Sequence, residues 1–167
     1  MLSHERVVRD GMLGQEVSMP KKFPLQAAGF NPFCELIGLN FSKYEKGYSQ
    51  CVLEVNEELL NPHKVLHGGI IYSMADTGMG AALYSCLSED ELCSTVEIKI
   101  CYFRVVISGI LTCDTELIHK GKKIAFLESE IKNNESLIAK AMGTYYIFKS
   151  KEDCVTDSVR VLGERGH

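Results

Sequence analysis

The sequence predicts an α+β fold in which an antiparallel sheet of five to six strands wraps around one long central helix, at about residues 68–87. The stretch 70–87 contains no proline, and its small residues recur at helical spacing. Four segments after it alternate between apolar and polar residues and are separated by turn residues, and two segments before it read as strands joined by a tight turn. Successive hairpins of this kind form antiparallel sheets.

The two segments before the helix, residues 35–45 and 47–56, are predicted to be strands joined by a tight turn at Lys46-Gly47. In the second segment Cys51, Leu53 and Val55 fall on one face. An irregular loop with Pro62 then leads into the helix.

The predicted helix carries a stripe of small side chains at Ala75, Gly78, Ala82 and Ser85. Small side chains let a helix lie close to a sheet, whereas glycine is costly in an exposed helix. We therefore expect this helix to be buried against the sheet.

Four strands are predicted to follow the helix, and in the first of them Val96, Ile98 and Ile100 alternate onto one face. Gly121 and Asn133-Asn134 are the turn signals between the later strands. The predicted strands are residues 94–106, 108–119, 122–133 and 136–149.

The chain has 167 residues, which is typical of one domain. We place that domain at residues 31–150, after an N-terminal extension (1–30) with room for a short helix and before a charged C-terminal tail (151–167). The net charge of −4 offers no basic face for nucleic acid. No apolar run reaches the roughly 18 residues of a membrane span, and the first residues lack the apolar core of a signal peptide. These features predict a cytoplasmic protein without nucleic-acid or membrane partners.

The cysteines number seven, are irregularly spaced and include no C-x-x-C pair. This pattern argues against a disulfide framework and against a zinc site. We expect no metal, and most of the cysteines to be buried small apolar residues of a reduced protein.

The loop before the helix reads His67-Gly68-Gly69. The N–H groups of residues that begin a helix lack intrahelical partners and lie at the positive end of the helix dipole. Such donors suit a carbonyl oxygen that gains negative charge as it is attacked. For a glycine pair alone, a flexible loop is the more common interpretation.

Asp76 is the one acid between Glu58 and Glu89, and no cation lies one turn away from it in the helix. A carboxylate on a largely apolar helix is expensive unless it is hydrogen-bonded or paired. Asp76 is therefore a candidate functional group. The alternatives are a solvated helix face and a buried subunit contact.

Asn61, His67-Gly68-Gly69, Asp76 and Ser94-Thr95 together resemble the PaaI-like (phenylacetate-type) branch of the hotdog-fold acyl-CoA thioesterases, over about residues 32–148. The resemblance implies a hotdog fold and hydrolysis of an acyl-CoA thioester, with Asp76 as general base or nucleophile and no cofactor beyond the CoA of the substrate. It gives His67 a supporting role. Asn61 would orient the carbonyl or a water, or else is a turn residue before Pro62. Ser94 would bond Asp76 or the water, or else is an ordinary strand hydroxyl.

Gly68 and Asp76 are eight residues apart, which is about 12 Å along a helix axis. A carbonyl-binding donor and a catalytic carboxylate must both lie near one carbon atom. One helix cannot achieve this, but two antiparallel helices of a symmetric dimer can. We therefore expect a homodimer with composite sites. The resemblance agrees with this dimer and implies a homotetramer of two such dimers.

The CoA phosphates require cations, and the sequence offers candidates at the end of one strand and in one turn. The family usually has proline where this chain has Val105. A solvated hairpin turn explains the turn cations equally well. The candidate substrate- and CoA-binding residues are Thr95, Arg104, Lys120, Lys122, Lys123 and Tyr72.

Two other functions fit the same features. A hotdog hydratase or dehydratase acting on 3-hydroxyacyl thioesters pairs a His with an acid, as His67 and Asp76 could. A non-catalytic acyl-CoA-binding module would bind without turnover. The acyl group itself stays open, since Tyr72, Met74, Met79 and Tyr84 could line a pocket or belong to the core.

Overall fold

The computed structural model describes Lys21, Gly29 and residues 31–150. The strands are β1 (Asn40–Glu45), β2 (Tyr48–Glu54), β3 (Glu91–Tyr102), β4 (Ile110–Lys120), β5 (Ile124–Asn133) and β6 (Ser136–Lys149). The helices are α1 (Pro32–Ile37), a 3-10 turn (Glu57–Leu59) and α2 (Gly68–Tyr84). The short helix considered within residues 1–30 and the charged tail 151–167 lie outside the described residues, apart from Lys21 and Gly29.

All six strands form one antiparallel sheet in the order β1-β2-β4-β5-β6-β3, and α2 packs on one face of it. This confirms the predicted α+β plan of a sheet around one central helix. After β2 the chain passes through α2 to the far edge of the sheet, so β3 pairs with β6 alone and its other edge is unpaired within the described chain.

The helix lies on its stripe of small residues, as predicted. Ala75 and Ala82 are fully buried, and Ser49 Oγ donates to the Gly78 carbonyl at 2.8 Å. A Cβ on Gly78 would lie 2.6 Å from Thr115 Oγ1, so the contact between helix and sheet needs glycine there. Among the described residues, no helix is both long and apolar enough to cross a membrane.

The prediction of a strand over residues 35–45 is wrong in its first part, where helix α1 is found. The Asn31 side chain accepts a hydrogen bond from Cys34 N–H at 3.2 Å, and Pro32 occupies the first helical turn. Gly38, at φ 71°, ends the helix in the left-handed conformation. These caps override the alternation, and the strand begins at Asn40.

Helix α2 ends at Tyr84, earlier than the predicted 87. Cys86 and Leu87 N–H donate three residues back, to Leu83 and Tyr84. The Ser85 hydroxyl donates to Ala82 O at 2.6 Å and accepts from Gly47 N–H at 2.7 Å. Ser85 thereby closes the helix and ties its end to the β1–β2 turn.

A β-bulge at Val96 changes the predicted pattern of β3. The register passes from Thr95 to Glu97, so Val96 is an extra residue and is 60% exposed. Before the bulge, Cys93 and Thr95 face the helix, and after it Ile98 does so. The prediction that Val96 shares the face of Ile98 is therefore wrong. The turns at Gly47 (φ 75°) and Asn134 (φ 52°) fall where they were expected.

Candidate active site

The N-terminus of α2 presents one free backbone donor. His67 is the N-cap residue, and its ring Nδ1 accepts a hydrogen bond from Gly69 N–H at 2.9 Å. Within the described part of the chain, no acceptor takes the Gly68 N–H. Of the two predicted glycine donors, Gly68 is therefore the one that is available to a ligand.

Tyr102, which the sequence reasoning missed, supports this end of the helix. Its hydroxyl donates to the Gly68 carbonyl at 3.0 Å, and its ring lies 3.6 Å from the position of a Cβ on Gly68. Burial raises the pKa of the Tyr102 phenol. In the sequence, the feature that could have indicated this role is an aromatic residue at the end of β3, on the strand face that is turned to the helix.

Asn61 serves the turn before the helix. Its side-chain oxygen accepts from His63 N–H at 2.8 Å, and its backbone N–H donates to Val65 O at 2.8 Å. The geometry is that of an Asx turn. The Asn61 amide nitrogen bonds no residue that the structure describes, so it remains available to a substrate or water.

Asp76 is held by two hydroxyl groups from two adjacent strands. Thr95 Oγ1 donates to Asp76 Oδ1 at 2.7 Å, and the Tyr145 hydroxyl lies 2.6 Å from the same atom. Thr95 and Tyr145 are direct partners in the β3–β6 ladder, so the sheet places both beside the helix. Asp76 Oδ2 bonds none of the described residues, and the side chain is partly exposed.

Ser94 requires a correction. It pairs with Tyr146, which is 38% exposed, whereas Thr95 pairs with the buried Tyr145. Side chains that are directly opposite in a ladder share a face, so Ser94 points away from Asp76. The hydrogen bond expected from Ser94 comes from Thr95, one residue along. Because successive strand residues alternate faces, an error of one position moves the side chain across the sheet.

The four residues considered as lining of an acyl pocket differ in how deeply they are buried. Met74 and Met79 are fully buried in the core and Tyr84 is packed against it, while Tyr72 is 36% exposed on the helix. Of these four, Tyr72 has the most exposed side chain.

The cation candidates do not form one site within a single chain. Arg104 follows β3 and donates to Leu137 O at 3.2 Å, near the start of β6. The turn that carries Lys120, Lys122 and Lys123 lies at the opposite end, where Ile147 N–H donates to Lys123 O. The ten residues between Leu137 and Ile147 span roughly 30 Å of strand. One chain therefore cannot bring both groups to the same phosphate.

The premise for a composite site is met, because α2 is continuous from Gly68 to Asp76. The eight-residue separation along a regular helix is about 12 Å. A carbonyl bound at Gly68 N–H is therefore out of reach of Asp76 in the same chain.

The same region of the chain carries the family signature. Residues 63–140, which span the glycine pair, Asp76 and β3, match the sequence model of the thioesterase superfamily. A provisionally named esterase of Saccharolobus solfataricus is 33% identical over 116 residues, covering 68% of this chain and 75% of its own length. This chain belongs to the thioesterase superfamily.

Further relatives carry more specific names. The medium/long-chain acyl-CoA thioesterase YigI of Salmonella typhimurium is 28% identical over 132 residues, covering 70% of this chain and 85% of its own. The acyl-coenzyme A thioesterase PaaI of Escherichia coli is 28% identical over 100 residues, covering 59% and 69%. A solved Pseudomonas aeruginosa protein, PA5202, aligns at 32% identity with a TM-score of 0.68, covering 70% of this chain and 93% of its own.

These matches confirm the hotdog fold, the PaaI-like resemblance and the enzyme class, a thioester hydrolase. The roles of individual residues remain predictions.

Proposed function

We propose that this protein hydrolyses an acyl-CoA thioester with an aryl or short-to-medium acyl chain to the free acid and CoA. The observation that carries the proposal is the geometry of Asp76. Thr95 and Tyr145 hold its Oδ1, which leaves Oδ2 for water or for the substrate carbon. The acyl-CoA thioesterases among its relatives support the substrate class.

In the proposed reaction, Gly68 N–H polarises the thioester carbonyl. The helix N-terminus adds the favourable end of its dipole, and the His67 cap keeps the neighbouring Gly69 N–H occupied. A donor already in place stabilises the oxyanion without reorganisation during the reaction.

Asp76 supplies the proton transfer or the nucleophile. As a general base it takes a proton from water, whose oxygen adds to the carbonyl carbon, and CoA leaves as the thiolate and is protonated. As a nucleophile its oxygen displaces the CoA thiolate to give a mixed anhydride, which water then cleaves. Single turnover in ¹⁸O-water separates the two routes, because anhydride cleavage at the Asp76 carbon leaves ¹⁸O in the enzyme carboxylate.

We also propose a homodimer in which Gly68 of one subunit works with Asp76 of the other. Support comes from the free edge of β3 and from the exposed apolar side chains beside it, Val96, Phe103 and Val105 at 60%, 55% and 77%. An unpaired apolar edge is a ready template for pairing with a second strand. Antiparallel pairing of two β3 strands would also bring Arg104 of one subunit to the sheet end that carries the other subunit's basic turn.

The hydratase alternative requires His67 to act as a base on the substrate. Its Nδ1 already accepts the Gly69 N–H, so the Nε2 of the neutral ring carries the hydrogen and is a donor rather than a base. Incubation with crotonyl-CoA decides between the two: loss of the enoyl absorbance without thiol release would indicate hydration, and thiol release alone would indicate hydrolysis.

The central test is Asp76→Asn in a thiol-release assay over a panel of aryl- and acyl-CoAs. The amide cannot accept the proton, and we expect kcat to fall by about 10²–10⁴-fold. Asp90→Asn is the matched control, because Asp90 is an exposed acid that pairs with Lys149 at the far end of β6. A folded Asp76→Asn enzyme with full activity on the best substrate would refute the assignment.

A further inference from the structure

Tyr145 is the buried hydrogen-bond partner of Asp76. It is 2% exposed on β6, in a row of inward-facing residues whose preceding members, Ala139, Ala141 and Gly143, are small. Burial, followed by the hydrogen bond to Asp76, raises the pKa of the Tyr145 phenol far above its usual value. The group therefore keeps its proton at any working pH and acts as a donor.

The Tyr145 hydroxyl has two acceptors for its single proton. Asp76 Oδ1 lies 2.6 Å away, and the main-chain oxygen of Asp76 lies 2.9 Å away. A carbonyl oxygen has two lone pairs, so the main-chain oxygen can accept this bond in addition to its helical one. The proton can turn between the two acceptors without movement of the ring.

We propose that Tyr145, together with Thr95, is a positioning residue that fixes the Asp76 carboxylate through Oδ1 and leaves Oδ2 free to react. When Asp76 is ionised, both hydroxyls donate to Oδ1, and donors to a carboxylate favour its charged form. When Oδ2 takes a proton, the Tyr145 hydrogen turns to the main-chain oxygen of Asp76. The carboxyl group therefore keeps its orientation through the catalytic cycle.

This inference rests on the proposed role of Asp76 and adds residues to it. The neighbouring titratable groups do not supply the same effect. Burial raises the pKa of Cys93, which faces the helix beside Thr95, to about 11, although the positive charge of Lys21 acts in the opposite direction. On α1, the thiol of Cys34 bonds Thr77, and burial raises its pKa as well. Both thiols stay neutral over the acid and neutral range.

Tyr145→Phe tests the inference, because it removes one hydroxyl and keeps the ring. The loss of one hydrogen bond to a charged group moves the midpoint of that group's titration by about 1–2 pH units. We expect the acid limb of the pH profile of kcat/KM to move to higher pH by that amount, with KM unchanged. At a fixed pH on that limb, activity falls about tenfold per unit and returns as the pH is raised.

Tyr146→Phe is the matched control. Tyr146 is the next residue but faces away from the helix and is 38% exposed, so the same deletion should leave the profile unchanged. Thr95→Val gives a second test at an exposed edge position, should Tyr145→Phe fail to fold. It should shift the limb in the same direction, while Thr95→Ser, which keeps the hydroxyl, should restore it.

The outcomes separate this inference from the proposed function. An Asp76→Asn enzyme with full activity would refute the proposed role of Asp76, and it would refute the inference about Tyr145 as well. If Asp76→Asn is inactive while folded Tyr145→Phe and Thr95→Val both keep the wild-type acid limb, the inference alone is overturned.

Discussion

Gly68 allows a single backbone hydrogen-bond donor to be removed from the candidate site. It is the first residue of α2, a position at which proline is favoured because the N–H has no helical partner. The preceding residue, His67, has φ −64° and ψ 130°, which is the conformation that a residue before proline prefers. A Cβ at Gly68 would lie 3.6 Å from the Tyr102 ring, an ordinary contact. Gly68→Pro should therefore fold normally and lack only the N–H.

The proposed role of this N–H sets the size of the effect. Loss of one oxyanion donor costs about 10²–10³-fold in kcat, or about 2.7–4 kcal/mol. Gly68→Ala is the matched control, since it adds a Cβ and keeps the donor. We expect it to retain most of the activity, with a stability change within about 1 kcal/mol. Thiol release measures kcat, and thermal unfolding verifies the fold. Equal activities of the proline and alanine variants would refute the reasoning.

The same variant tests the composite site. A heterodimer of Gly68→Pro and Asp76→Asn subunits has one site with both defects and one intact site. Mixing the two inactive proteins with subunit exchange makes half of the dimers mixed, so about a quarter of the wild-type rate should return. If the groups act within one subunit, no activity would return.

Two further predictions concern packing and thiol chemistry. Gly78→Ala should lower the free energy of unfolding by about 1–3 kcal/mol, because its Cβ would lie 2.6 Å from Thr115 Oγ1. Gly80→Ala, with nothing within 4 Å, should be neutral or stabilising in the same denaturant titration, and equal losses would contradict this account. At pH 8, peptide-resolved mass spectrometry should show exposed Cys101 alkylated well before Cys93, whose pKa burial raises to about 11. Faster labelling of Cys93 would contradict the predicted order.

Much of the fold could be predicted from local pattern. The small-residue stripe of α2 and the turns at Gly47 and Asn134 follow from side-chain volume and backbone freedom, which neighbouring residues determine. The strand predicted from residue 35 failed because the caps at Asn31 and Gly38, rather than alternation, determine that segment.

The candidate site was predictable where its members are consecutive in the chain. His67, Gly68 and Gly69 lie together because one helix begins there, and Asp76 is conspicuous as an isolated acid on that helix. Tyr145 and Thr95 were not recognised as its partners, because they reach Asp76 through a strand pairing 50 residues apart in sequence. The bulge at Val96 cannot be inferred from alternation either.

The sequence alone determined the central helix and the six strands as element types, the enzyme family and the acid on which the proposed chemistry depends. Those properties come from local periodicity and from a short motif. The tertiary structure decided which hydroxyls hold that acid, which glycine N–H is free, and that Arg104 and the basic turn lie at opposite ends of the sheet. These relations depend on strand register and on the alternation of faces, where a shift of one residue moves a side chain to the other side of the sheet.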